Sequence, residues 1–181
     1  MKERYNPVSI VLHWLIALLI FGAFPLGLYM ADLPLSPQKL QMYSWHKWIG
    51  VTVFLLVLIR ILWRIGHKPP APVPMPRWQL LASKSVHHLL YVLMVIVPLS
   101  GWLLSSAKGM QTVWFGVLPL PDLVHKNKEL GDVLHELHET LNYGMLLLVG
   151  AHLAAVIKHQ FVDKDHLLSR MNPFATTEEA K

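Results

Sequence analysis

Two histidines fourteen residues apart, His138 and His152, share the last apolar stretch of this chain, and two more, His13 and His46, stand near the starts of the first two. Imidazole can ligate a metal, carry a proton or donate a hydrogen bond, and an ionisable side chain among apolar residues is costly enough to need such a use. Fourteen residues of α-helix return to within roughly 40° of the same face and advance ~21 Å. One helix thus offers two ligands on one stripe, one near each side of an apolar layer ~30 Å thick.

The elements that must hold these rings are the apolar runs 8–29, 45–63, 86–104 and 141–157, the last extended toward its start by 130–140. Of 181 residues 54% are hydrophobic and only 15% charged, against about 25% charged in soluble domains. The expectation is an all-α integral membrane four-helix bundle, one domain over 1–181, with helices at about 8–29, 45–65, 84–105 and 131–158. Four spans put both termini on one side. Lys2, Arg4, Arg60, Arg64, Lys68, Arg77, Lys84, Lys158, Lys164, Arg170 and Lys181 fall on that side, against Lys39, Lys47, Lys108, Lys126 and Lys128 on the other. The excess of basic residues predicts cytoplasmic termini. Tryptophans agree, with Trp14, Trp63 and Trp78 near the inner interface and Trp45, Trp48, Trp102 and Trp114 near the outer one.

The first run is too long for a secretory h-region and lacks a small-residue cleavage site, so it is read as a retained helix. The Pro-rich string 69–76 reads as an extended spacer, and Pro98 is expected to kink the third helix. The connection 105–132, with Trp114, Phe115, Pro119 and Pro121, is expected to lie over the mouth of the bundle. Residues 178–181 read as a disordered tail. The net charge of +5 follows from the topological signal and suits anionic lipid; no basic helix with interleaved aromatics points to nucleic acid. No phosphate loop or nucleophile elbow occurs. Without cysteine there is no disulfide, no iron–sulfur cluster and no covalent haem attachment.

Chemistry therefore falls to histidine. His13 lies five residues into its run and His152 five before the end of the last, which makes them level on the inner side. His46 and His138 are level on the outer side. By depth alone His87 could replace His13. His135, one turn before His138, could replace it, although the fourteen-residue match to His152 favours His138. Two levels of paired imidazole suit two b-type haems stacked across the bilayer, whereas one pair is too few for a closed zinc site. Gly27, fourteen residues after His13, and Gly50, one turn after His46, would let a flat macrocycle approach the backbone, or would simply pack helices. Arg60, fourteen residues after His46, could pair with a haem propionate or extend to the interface as Arg64 does. Glu136 and Glu139 read as a solvated helix start.

Arg4-Tyr5 with Ile10-Val11-Leu12-His13-Trp14-Leu15, the stretch from His46 to Arg60, His87-x-x-x-Tyr91 before Pro98-Leu99-Ser100-Gly101, and His138-Glu139 through Gly150-Ala151-His152 together resemble the bacterial di-haem cytochrome b561 family, from about Arg4 to Arg170. The resemblance implies a four-helix bundle in the bacterial inner membrane with two haems b. It implies His13 with His152 as ligands of the inner iron and His46 with His138 as ligands of the outer one. It also implies quinone-linked electron transfer, with ubiquinone as acceptor, and the family includes superoxide oxidases.

With both axial positions filled, such an iron exchanges only single electrons. Lys108, His125, Lys126 and Lys128 could attract a small anionic donor, although Asp122, Glu129 and Asp132 balance them. His87, Tyr91, Arg60 and His159, the last seven residues after His152, are candidate quinone contacts on the inner side. The expected function is transmembrane electron transfer from superoxide, or another small or protein one-electron donor outside, to ubiquinone. The alternative is the membrane cytochrome b subunit of a larger dehydrogenase or hydrogenase. A histidine-lined metal transporter is disfavoured by the scarcity of carboxylates along the spans.

Overall fold

Four helices carry the apolar runs in the computed structural model, which describes residues 4–165 and 167–174: α1 (Pro7–Asp32), α2 (Pro37–Gly66), α3 (Arg77–Ala107) and α4 (Lys128–Ile157). All four are long and apolar enough to cross a membrane. The first two open on a proline at the first helical position, behind a cap. The Asn6 side chain accepts from Val8 N and that of Ser36 from Lys39 N, which satisfies amide groups that the first turn leaves without helical partners. The Ser36–Pro37 start places two turns of α2 ahead of its apolar run, and Pro76 similarly launches α3 nine residues before its own. Lys39 Nζ closes the preceding helix end by donating to Ala31 O at 3.0 Å and Leu33 O at 2.5 Å.

The core lies where α1, α2 and α3 meet. Ile16, Val53 and Val57 are buried there against Leu19, Ile20, Ile49, Leu56, Met94 and Val95. Most other apolar side chains face outward, as lipid-facing helices require. α4 packs along α3 and is the least buried of the four. It faces α1 and α2 across side chains, among them Phe24 and Tyr143 with ring centres 6.3 Å apart. Pro98 lies within α3, which continues through it as one helix.

Each end of the bundle is covered by a short segment. The connection after α3 forms a hairpin, β1 (Val113–Trp114) and β2 (Leu118–Pro119), turned by Phe115 and Gly116 at φ 50° and 72°, the left-handed pair that a tight hairpin needs. It docks on α2: Trp48 Nε1 donates to Val113 O at 2.6 Å and Trp114 Nε1 to Thr52 Oγ1 at 3.3 Å. Lys47 Nζ reaches Ser105 Oγ, Met110 O and Gln111 O at 3.0–3.3 Å. At the opposite end α4 continues as a π-helical turn, Lys158–Asp163, and a 3₁₀ helix, Leu167–Met171. This tail meets the start of the chain through Tyr5 N to Arg170 O at 3.2 Å and Trp14 Nε1 to Met171 O at 2.8 Å, and Arg170 NH1 ties in the Pro-rich string at Ala71 O. The first and last described residues therefore share one end. The tail expected at 178–181 lies outside the described residues.

Candidate functional site

The histidines gather into two groups. His46 on α2 faces His138 on α4, with ring centres 6.3 Å apart and planes at 87°. His13 on α1 faces His152 on α4, also at 6.3 Å and at 71°. A metal–imidazole bond of ~2.0 Å, plus about 1.1 Å from nitrogen to ring centre on each side, separates two trans ligands by roughly 6.2 Å. Both pairs have that spacing. His87 stands 5.2 Å from His152, which is too short for an iron between opposed rings, so His87 joins the inner group as a neighbour. His135 is exposed, one turn from the outer pair.

Hydrogen bonds fix which nitrogen is available at the outer pair. His46 Nδ1 lies 3.1 Å from Ala23 O, and His138 Nδ1 lies 3.1 Å from Val97 O and 2.9 Å from Ser100 Oγ. A carbonyl only accepts, so Nδ1 carries the proton and Nε2 keeps the lone pair that binds a metal. His87 Nδ1 likewise donates to Ser83 O at 2.7 Å.

Space for a flat group is present beside the rings. At Gly50 on α2, one turn after His46, an added Cβ would meet no atom within 4 Å. Gly27 is occupied differently from the macrocycle contact read from its position, because a Cβ there would sit 3.1 Å from His46 Cε1. Gly101 stands against His138 in the same way, at 3.0 Å. The donor set, the spacing and the open backbone together fit haem b. Sequence reasoning did not single out Ala23 or Val97, and quoted Ser100 and Gly101 only within the resemblance without a role; a further trace is that Ala-Phe-Pro-Leu-Gly and Val-Pro-Leu-Ser-Gly both join a helical proline to a glycine.

Arg60 turns into the bundle. Its Nε donates to Tyr91 OH at 2.8 Å and its NH1 to Ser9 O at 3.1 Å, and the Arg60 and Arg64 guanidinium groups both lie within 5.8 Å of the centre of the Tyr91 ring. Tyr91 also lines a shallow cavity of about 300 Å³ with Ile61, His88, Val92, Val95 and Ile96. His159 lies on the π turn and is engaged by two carboxylates, its Nδ1 meeting Asp165 at 2.6 Å and Asp163 at 3.3 Å. On the hairpin side Lys108 is paired with Asp132 at 2.5 Å, while His125, Lys126 and Lys128 are exposed.

Residues 4–173 match the family model for prokaryotic cytochrome b561. The chain is 34% identical over 180 residues to cytochrome b561 homolog 2 of Escherichia coli K12, covering 93% of this chain and 91% of that protein. It is 29% identical over 174 residues to the probable superoxide oxidase CybB of Yersinia pestis, with 96% and 98% covered, and 29% identical over 181 residues to cytochrome b561 homolog 1 of E. coli K12, with 94% and 98% covered. With four apolar helices and paired imidazoles between them, the chain belongs to the prokaryotic cytochrome b561 family, bacterial membrane proteins that carry haem iron in electron transport.

Proposed function

We propose that the chain is a single four-helix domain over 1–181 of the inner membrane, with cytoplasmic termini, that passes electrons from a one-electron donor at the periplasmic face to ubiquinone. Superoxide is the donor that best fits, given the name of the relative from Yersinia pestis. The observation that carries this reading is the pair of facing imidazoles at 6.3 Å repeated at each end of α4. His46 with His138 would hold one haem b and His13 with His152 a second. Haem iron held between two imidazoles would supply single-electron exchange at each level.

The remaining residues then act at the edges. Lys126 and Lys128, with Asp122 and Glu129 close in sequence, are the exposed cations that an anionic donor would meet at the hairpin end, and each superoxide that yields an electron departs as dioxygen. At the other end Arg60, held by Tyr91 OH and Ser9 O, is oriented for a haem propionate. Tyr91, which lines an apolar groove with His88, and His87 on the same helix are the hydrogen-bonding groups for a quinone that approaches out of the lipid. His159, engaged with two carboxylates, is better suited to proton exchange with the cytoplasm than to quinone contact.

The test uses haem-loaded protein in vesicles containing ubiquinone, exposed to a superoxide-generating system. Rapid haem reduction followed by quinone-dependent reoxidation is expected. Haems that ignore superoxide and are reduced only when a partner dehydrogenase is added would identify the membrane subunit of a larger complex instead.

A further inference from the structure

The outer and inner imidazole pairs are not held alike. Each outer ring reaches a backbone carbonyl of a neighbouring proline-containing helix: His46 Nδ1–H to Ala23 O of α1 and His138 Nδ1–H to Val97 O of α3, both at 3.1 Å. In each case a glycine stands four residues after the acceptor, Gly27 after Ala23 and Gly101 after Val97, with Pro25 or Pro98 between. The spacing has a physical reason. In a helix the carbonyl of residue i already accepts from the N–H of i+4, and its second lone pair lies beneath the side chain of that same residue. Removing the side chain lets a second donor in. A Cβ at Gly27 or Gly101 would stand 3.1 or 3.0 Å from the imidazole Cε1, so even alanine would displace the ring by a few tenths of an ångström. Ser100 adds to the grip on His138, its hydroxyl donating to Val97 O at 2.7 Å and accepting from His138 Nδ1 at 2.9 Å.

The inner pair has no such grip. Among the described residues no hydrogen bond reaches a ring nitrogen of His13 or His152; their neighbours are the rings of Trp14, at 5.6 Å from His13, and His87, at 5.2 Å from His152.

We infer that Gly27, Gly101 and Ser100 are positioning residues that make the outer imidazoles the stronger electron donors, so that the outer level has the lower reduction potential and an electron received outside moves inward downhill. This rests on the ligand reading above. An imidazole whose Nδ1–H is bonded to a carbonyl is more basic at Nε2 and favours the ferric over the ferrous state. With haem held by His46 and His138 outside and by His13 and His152 inside, each electron taken from the donor outside would be balanced by one delivered to the quinone inside.

The measurement is a potentiometric titration of the purified, haem-loaded protein followed by its visible spectrum. The wild type should show two waves, and His152→Ala, which keeps only the outer haem, should retain the lower. Ser100→Ala and Gly101→Ala should raise the lower wave and leave the upper in place. If Gly101→Ala cannot hold its outer haem, Ser100→Ala, which adds no atom, decides. Retention of the upper wave in His152→Ala, or a lower wave unmoved by these substitutions, would overturn the inference and leave the ligand reading standing. Two haems retained in His138→Ala would instead sink the ligand reading itself.

Discussion

Removing one imidazole of α4 at a time should separate the two levels, because about 21 Å of helix lies between them and distant sites behave independently. His152→Ala is expected to lose the inner haem and His138→Ala the outer one, each keeping one per chain, while His135→Ala keeps both. Loss of a haem in His135→Ala with none in His138→Ala would move the outer ligand by a turn. Tyr91→Phe removes the hydroxyl that accepts from Arg60 Nε; haem content and haem reduction should stay as in wild type while reoxidation by quinone slows. Equal reoxidation rates would remove Tyr91 from the quinone site. The facing of His138 and His152 toward the other helices was legible because side-chain direction on a helix follows from residue number alone. What holds the outer rings was not, since Ala23 and Val97 act through backbone carbonyls that carry no side-chain signature. Gly27 was noticed, yet its neighbour is an imidazole, a distinction that helix periodicity does not contain.

The hairpin β1–β2 and the start of α4 form the surface a periplasmic donor would meet. Lys108 is neutralised by Asp132, so steering falls to Lys126 and Lys128. If the donor is superoxide, haem reduction should slow as ionic strength rises from 0.01 M, where the Debye length is ~30 Å, to 0.1 M, where it is ~10 Å. Lys126→Glu with Lys128→Glu should slow the same step and flatten its salt dependence without changing haem content. A rate indifferent to both changes would exclude electrostatic capture at this loop. The helices themselves were readable from their apolar runs, but the starts of α2 and α3 were not: Ser36–Pro37 and Pro76 open them well ahead of the hydrophobic residues, since capping and a fixed φ initiate a helix regardless of hydropathy. Nor did the apolar pattern show the π turn at Lys158–Asp163, where two carboxylates meet His159.

The bundle as a unit has its core among α1, α2 and α3, while α4 faces α1 and α2 mainly through histidine and aromatic pairs. Haem binding should therefore contribute to assembly as well as to function, and haem-free protein is expected to unfold at a lower temperature than the loaded form, by an amount that tracks ligand occupancy. Acidic acetone should release two haems b per chain, because no cysteine anchors them; one haem would leave one imidazole pair without a purpose. Transport of an electron from one face to the other is the property that all these parts serve. Its most direct measurement places the purified protein in sealed vesicles with ferricyanide trapped inside and a membrane-impermeant reductant outside. The trapped ferricyanide is expected to be reduced, and either His138→Ala or His152→Ala should abolish this while the surviving haem still responds to redox agents on its own side. Ferricyanide reduced at the wild-type rate after loss of either level, or not reduced by wild-type protein carrying both haems, would contradict electron transfer through both levels.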